Sequence, residues 1–205
     1  MSTELPIAKP VLDASRLPTY AFGHRSLMWW GTGGMIVIEG TMFAIAIVAY
    51  FYLRGLAPDW PMSAAPPDLW YGTLNTAILL ASGLPNHFAS KAAESHDLRG
   101  VRIWMVVCIA FGVAFHVVRI FEFTALNTHW TANAYGSIVF TLLVLHTVHM
   151  ITDFIDTLVL AVLMFTGPLN GRRFVDVSEN AAYWWFVIAA WIPVYVTLYW
   201  APRWS

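Results

Sequence analysis

Charge is what this sequence has least of. Only 11% of its 205 residues are Asp, Glu, Lys or Arg, and they leave a formal net charge of −1. A soluble domain covers its surface with about 25% charged residues, so water is a poor solvent for this chain. The near-neutral balance supplies no basic surface for a nucleic-acid partner. The single cysteine, Cys108, excludes an internal disulfide; lying in an apolar run, it says nothing about redox compartment. No internal repeat is evident, nor any phosphate loop, nucleotide fingerprint, nucleophile elbow or zincin motif. Residues 1–27 lack the ordered basic, apolar and small-residue segments of a secretory signal. The first hydrophobic segment is therefore expected to persist as a span.

Apolar residues are abundant instead. They make up 59% of the chain, its mean hydropathy is +0.62, and its eleven Trp suit a membrane–water interface. A spanning helix needs about 20 apolar residues. Five runs qualify, at roughly 28–53, 70–90, 102–123, 135–165 and 181–201. Their apolarity is continuous, without the period-two alternation of a barrel strand, so the expected fold is all-α: a bundle of five transmembrane helices. Residues 1–27 form an expected cytoplasmic tail, and 28–205 a single transmembrane domain.

Loop charge predicts the orientation. Lys9, Arg16, Arg25, Lys91, Arg99, Arg102, Arg172 and Arg173 fall on one side; only Arg54 and Arg203 fall on the other. The positive-inside rule places the N-terminus in the cytoplasm and the C-terminus outside. Pro193, within the last span, predicts a kink.

The ionisable residues inside these spans carry the most information, because each costs free energy unless it faces protein, water or a partner. Glu39 lies near the middle of the first span. His116, Arg119 and Glu122 lie on the third, and His146, His149, Asp153 and Asp156 on the fourth. At about 100° per residue, these last four fall within an arc of about 80°. That stripe must face another helix or subunit.

Three readings of it stand side by side: interhelical hydrogen bonding, a metal site, and proton handling with Glu39 as the titrating member. Arg119 and Glu122, three apart, make an expected ion pair near the outer boundary, with an anionic lipid headgroup as the rival partner for Arg119. A b-type haem held by His116 with His146 or His149 is a further possibility. His24, His87, His96 and His129, at or beyond the span ends, read as surface residues.

Taken together, the motifs are similar to a known family. The first span reads Trp30-Gly31, then Ile38-Glu39-Gly40-Thr41-Met42-Phe43; the second contains Leu74-Asn75-Thr76 and Leu79-Leu80-Ala81-Ser82-Gly83. Glu122 closes the third. The fourth runs Tyr135-Gly136-Ser137, Phe140, His146-x-x-His149, and the fifth carries Tyr183-Trp184, Phe186, Trp191, Tyr195 and Tyr199. This order over all five spans resembles subunit III of the haem–copper cytochrome c oxidases, in a short form lacking the first two of seven helices. Trp185 and Ile188 depart from it, standing where the family has a His and an Asp.

The resemblance implies a non-catalytic subunit of a terminal respiratory oxidase in the bacterial plasma membrane, packed on the haem- and copper-bearing subunit I. It implies bound phospholipid, no redox centre in this chain, and support of stability and proton uptake. Glu39, Arg119, Glu122, His146, His149, Asp153 and Asp156 are then structural, lipid or proton-network residues. The helices bearing the His–Asp stripe, or small residues such as Gly112 and Gly136, are expected to meet the large subunit. Accessory roles in a quinol oxidase or nitric-oxide reductase, and a small membrane haem or metal protein using His116, His146 and His149, are the alternatives.

Overall fold

A computed structural model describes residues 20–204. The expected cytoplasmic tail therefore lies largely outside the described residues. Five helices follow in order: α1 Leu27–Leu56, α2 Leu69–Glu94, α3 Leu98–Thr124, α4 Ala134–Thr166 and α5 Gly171–Tyr195. Side chains cap three of the starts: Ser26 accepts from Met28 N, Asn133 from Gly136 N, and Asn170 from Arg173 N. Proline-bearing connections follow the ends of α1 and α4, where no helix can continue.

The helices run up and down. One end of the bundle, termed the N-end, joins the start of α1 to the α2–α3 and α4–α5 connections. There, His96 lies beside Phe22 and Phe174, and Arg102 donates to Met164 O. The opposite C-end carries the α1–α2 and α3–α4 connections and the end of the chain. Arg54 donates to Ala201 O, Asn127 to Pro66 O, and Arg203 to Pro67 O. The alternation is that of a multi-span membrane bundle.

Two boundaries differ from expectation. The last helix starts at Gly171, ten residues before the apolar run at 181. Its early turns carry Arg172, Arg173, Asp176, Glu179 and Asn180, so hydropathy reads them as loop, while the Asn170 cap and buried Phe174, Val175 and Val177 make them helix. Past Pro193 the chain turns into a π-helical segment at Val196–Trp200, and Thr197 Oγ1 bonds Pro193 O at 2.8 Å.

Among the described residues, four helices are long and apolar enough to cross a membrane: α1, α3, α4 and α5. The fifth, α2, is long enough at 26 residues but more polar. Its polar groups face protein. Asn75 donates to Glu122, Ser82 accepts from Trp184 Nε1 at 2.9 Å, and Asn86 donates to Ala181 O at 2.9 Å. These three residues lower the hydropathy of α2 while fastening it to α3 and α5.

The main core, including Tyr50, Leu79, Phe115, Leu142, Leu143, Val187, Trp191 and Leu198, runs along the bundle axis. Outward faces carry Val37, Ile45, Val113, Ile120, Ile155 and Val162, each at least half exposed. In water such a surface would aggregate; in a bilayer it is the expected exterior. The outermost helix is α1, with only Phe43 and Tyr50 buried. Gly112 and Gly136 do not serve an external partner. The Phe154 ring fills the space beside Gly112, and His129 O with Thr128 fills that beside Gly136.

Candidate functional site

The ionisable residues of the spans gather into two polar groups, one above the other along the bundle. Nearer the C-end, α2, α3 and the π-helical segment after α5 converge on Glu122. Its Oε2 accepts from Asn75 Nδ2 at 2.9 Å and its Oε1 from the Tyr199 hydroxyl at 2.6 Å. Arg119 Nε lies 3.3 Å from Oε2 but off the line of its N–H, so this contact is electrostatic rather than a hydrogen bond. The guanidinium is held between rings, 4.6 Å from the centroid of Phe115 and 4.4 Å from that of Trp191. Trp191 is in turn pinned by its Nε1 to Thr76 Oγ1 at 2.7 Å.

His146 extends this group to α4. An Arg119 terminal nitrogen lies 3.3 Å from its Nδ1, and an arginine can only donate. Nδ1 is therefore the acceptor, and Nε2 carries the proton, donated to Val187 O at 3.2 Å. Both ring nitrogens are occupied by protein. The group is sealed: Arg119 is 2% exposed, Glu122 and His146 are 0%. The pair lies in the last turns of α3, toward the C-end, and its sealing between helices leaves no path for a lipid headgroup to Arg119.

The second group lies nearer the N-end, beyond the Phe43 ring, whose centroid is 6.2 Å from His146 and 4.8 Å from His149. Glu39 of α1 accepts from the Tyr183 hydroxyl at 2.5 Å. His149 Nδ1 donates to Leu145 O at 2.7 Å, which turns Nε2 toward Glu39 Oε2 at 3.8 Å. Asp153 Oδ1 accepts from Asn180 Nδ2 at 2.8 Å, and Asn180 Oδ1 accepts from Thr157 at 3.1 Å. Asp153 Oδ2 is buried with no partner. It borders an open cleft of about 520 Å³ between α1, α4 and α5, where Asp156, Asp176 and Glu179 also lie.

The predicted stripe on α4 thus divides. His146, His149 and Asp153 turn into the bundle, and only Asp156 is exposed. His116 stands apart: its Nδ1 bonds Gly112 O at 2.7 Å, and its ring lies beside Phe154. In this arrangement His146 has neither ring nitrogen free for haem or metal, and the Phe115 ring packs against both it and His116. Among the described residues, no group of three His, Cys, Asp or Glu side chains is arranged to hold an ion.

Hydropathy and charge alone did not single out Asn75, Asn180, Tyr183 or Tyr199 as partners of these groups. Asn75 could have been found as an amide inside a span. The hydroxyls could not, since tyrosines at span ends also read as interfacial anchors.

An all-helical membrane bundle, with charged residues sealed between its own helices, defines an integral membrane protein whose intramembrane polar groups serve mainly one another. The sequence pattern of the family described as cytochrome c oxidase subunit III matches residues 22–204, so the chain belongs to that family. It is similar to cytochrome c oxidase subunit 3 of Thermostichus vulcanus, 27% identical over 183 residues, covering 88% of this chain and 90% of the relative. The Synechocystis sp. protein of the same name is 26% identical, covering 86% and 77%. A probable cytochrome c oxidase subunit 3 of Mycobacterium tuberculosis is 28% identical, covering 88% and 91%.

Proposed function

We propose that this chain is a non-catalytic subunit of a haem–copper terminal oxidase, embedded in a bacterial inner membrane with its N-end facing the cytoplasm. Haem and copper belong to a catalytic partner, subunit I, on which this chain packs. Its own contribution is to stabilise that partner, to bind phospholipid and to support proton uptake. The match to the subunit III family over residues 22–204 carries the reading. The chemistry of the site supports it, because His146 spends both ring nitrogens on Val187 O and Arg119, while His116 and His149 each spend Nδ1 on a carbonyl of their own helix.

Proton support is assigned to the N-end group: Glu39, His149, Tyr183, Asp153 and Asp156. There a carboxylate and an imidazole nitrogen face each other at 3.8 Å, close enough for an ion pair but not a hydrogen bond, beside a cleft open at the same end. The C-end group of Arg119, Glu122 and His146 is assigned a structural role, since it is wholly buried and both carboxylate oxygens of Glu122 and both ring nitrogens of His146 are taken by neighbouring helices.

The test is a mild-detergent pull-down of the tagged chain from native membranes, with a visible spectrum and mass-spectrometric identification of what is retained. Recovery of a large haem-bearing subunit, with haem leaving when the chains are separated, is the expected result. Haem staying in stoichiometric amount with the 23.0 kDa chain alone would overturn it. Identification of the haem-bearing partner also separates a cytochrome c oxidase from a quinol oxidase or a nitric-oxide reductase. That distinction has a specific motive here: Ile188 is buried at 4% exposure and Trp185 lies over Gly83, where the family resemblance has an Asp and a His.

A further inference from the structure

Helix α3 begins at the N-end, and its first turns direct Arg99 and Arg102 to one groove between the start of α3 and the end of α4. The groove holds about 700 Å³. Its floor is apolar, formed by Ile103, Val106 and Val107 of α3 with Phe165 of α4. Ile103, Val106 and Phe165 are each 51–52% exposed, so the floor is uncovered within this chain.

Arg102 is held in place there. Its Nε donates to Met164 O, a last-turn carbonyl of α4, at 2.9 Å, and its guanidinium carbon lies 5.1 Å from the Phe165 centroid. One nitrogen and one face of the fork are thereby fixed. Its two terminal nitrogens make no hydrogen bond among the described residues, leaving four N–H donors available. Arg99 is exposed one turn earlier. Among the described residues, no carboxylate stands within ion-pair distance of either arginine, whereas two other cations of the same end are paired, Lys91 with Glu94 and Arg173 with Asp176.

An oriented cationic rim above an exposed apolar floor calls for one molecule that carries both an anion and a hydrocarbon chain. A free anion would leave the floor bare, and a lipid without net charge would leave the rim unneutralised. We propose that this groove holds one anionic glycerophospholipid of the surrounding membrane. Its phosphate lies on Arg99 and Arg102, and an acyl chain runs along Ile103, Val106 and Phe165. The proposal deepens the lipid-binding part of the function given above, and it rests on the reading of the chain as membrane-embedded.

The test is native mass spectrometry of the full chain in a mild non-ionic detergent, titrated separately with phosphatidylglycerol and with phosphatidylcholine of the same chains. Phosphatidylglycerol is expected to be retained preferentially, as one tightly held copy. R99Q, which removes no contact within the protein, should lower that preference roughly five-fold, and R99Q/R102Q by more. Equal retention of the two lipids overturns the site. So does a preference for phosphatidylglycerol that survives in R99Q, or release of the lipid by inorganic phosphate alone. R99Q remains decisive if R102Q, which also loses the bond to Met164 O, fails to fold. The pull-down of the previous section keeps the two readings separable: recovery of the haem-bearing subunit alongside a negative lipid titration would sink this site only.

Discussion

At the scale of single residues, the dominant fact is a charge pair sealed between helices. Arg119 and Glu122 are 2% and 0% exposed, and Glu122 also accepts from Asn75 and Tyr199. Removing one member leaves the other charged and uncompensated. Glu122→Ala should therefore lower stability by about 3–5 kcal/mol, measured by denaturation of the detergent-solubilised protein. The paired change R119M/E122M should cost less than E122A alone, because no charge is then left buried. His146→Leu should cost about 1–3 kcal/mol, since an arginine nitrogen and Val187 O both lose their partner. If H146L is neutral, the assigned tautomer and its two bonds are wrong.

At the scale of elements, close packing of α2 against α5 depends on two glycines with different tolerance. A Cβ on Gly72 would enter the Tyr199 ring, which is buried at 1% exposure and tied to Glu122. A Cβ on Gly83 would come 2.7 Å from Trp185 Cη2, but that ring is 46% exposed and free to swing outward. Gly72→Ala should thus cost about 1–3 kcal/mol through overpacking. Gly83→Ala should remain within about 0.5 kcal/mol of the parent, as adjustable surface sites do. Comparing the melting of the two variants in one detergent checks the ranking; equal losses would mean that Trp185 is as fixed as Tyr199. The start of α5 carries a similar lesson. A window average sees arginines and acids at 172–179 and reads a loop, while the helix there is amphipathic, with Phe174, Val175 and Val177 turned inward.

At the scale of the whole molecule, the prediction concerns direction. The up-and-down order of the helices places the six described basic residues Arg25, Lys91, Arg99, Arg102, Arg172 and Arg173 at the N-end, and Arg54 and Arg203 at the C-end. A reporter active only in the cytoplasm should work when fused ahead of α1 and fail when fused after Arg203. The reverse pattern would invert the orientation. Exchanging Arg99 and Arg102 for Gln should leave this orientation unchanged, because the other N-end charges still outnumber those of the opposite end.

How much could be read without coordinates follows from which forces act locally. Apolar run length fixed five helices to within a few residues at most ends, because a bilayer imposes one thickness on every span. Motif order identified the family, and the ionisable residues were visible because hydrocarbon excludes them. What pairs with what was decided only in three dimensions. Hydropathy cannot say that Asn75 meets Glu122 across 47 positions, that Tyr183 reaches Glu39 across 144, or that the α4 stripe splits around Phe43. Nor can it distinguish a glycine reserved for a partner subunit from one filled by Phe154 of the same chain. Burial along a helix is a property of its own sequence, but the partner that satisfies a buried group belongs to another helix, and only packing selects it.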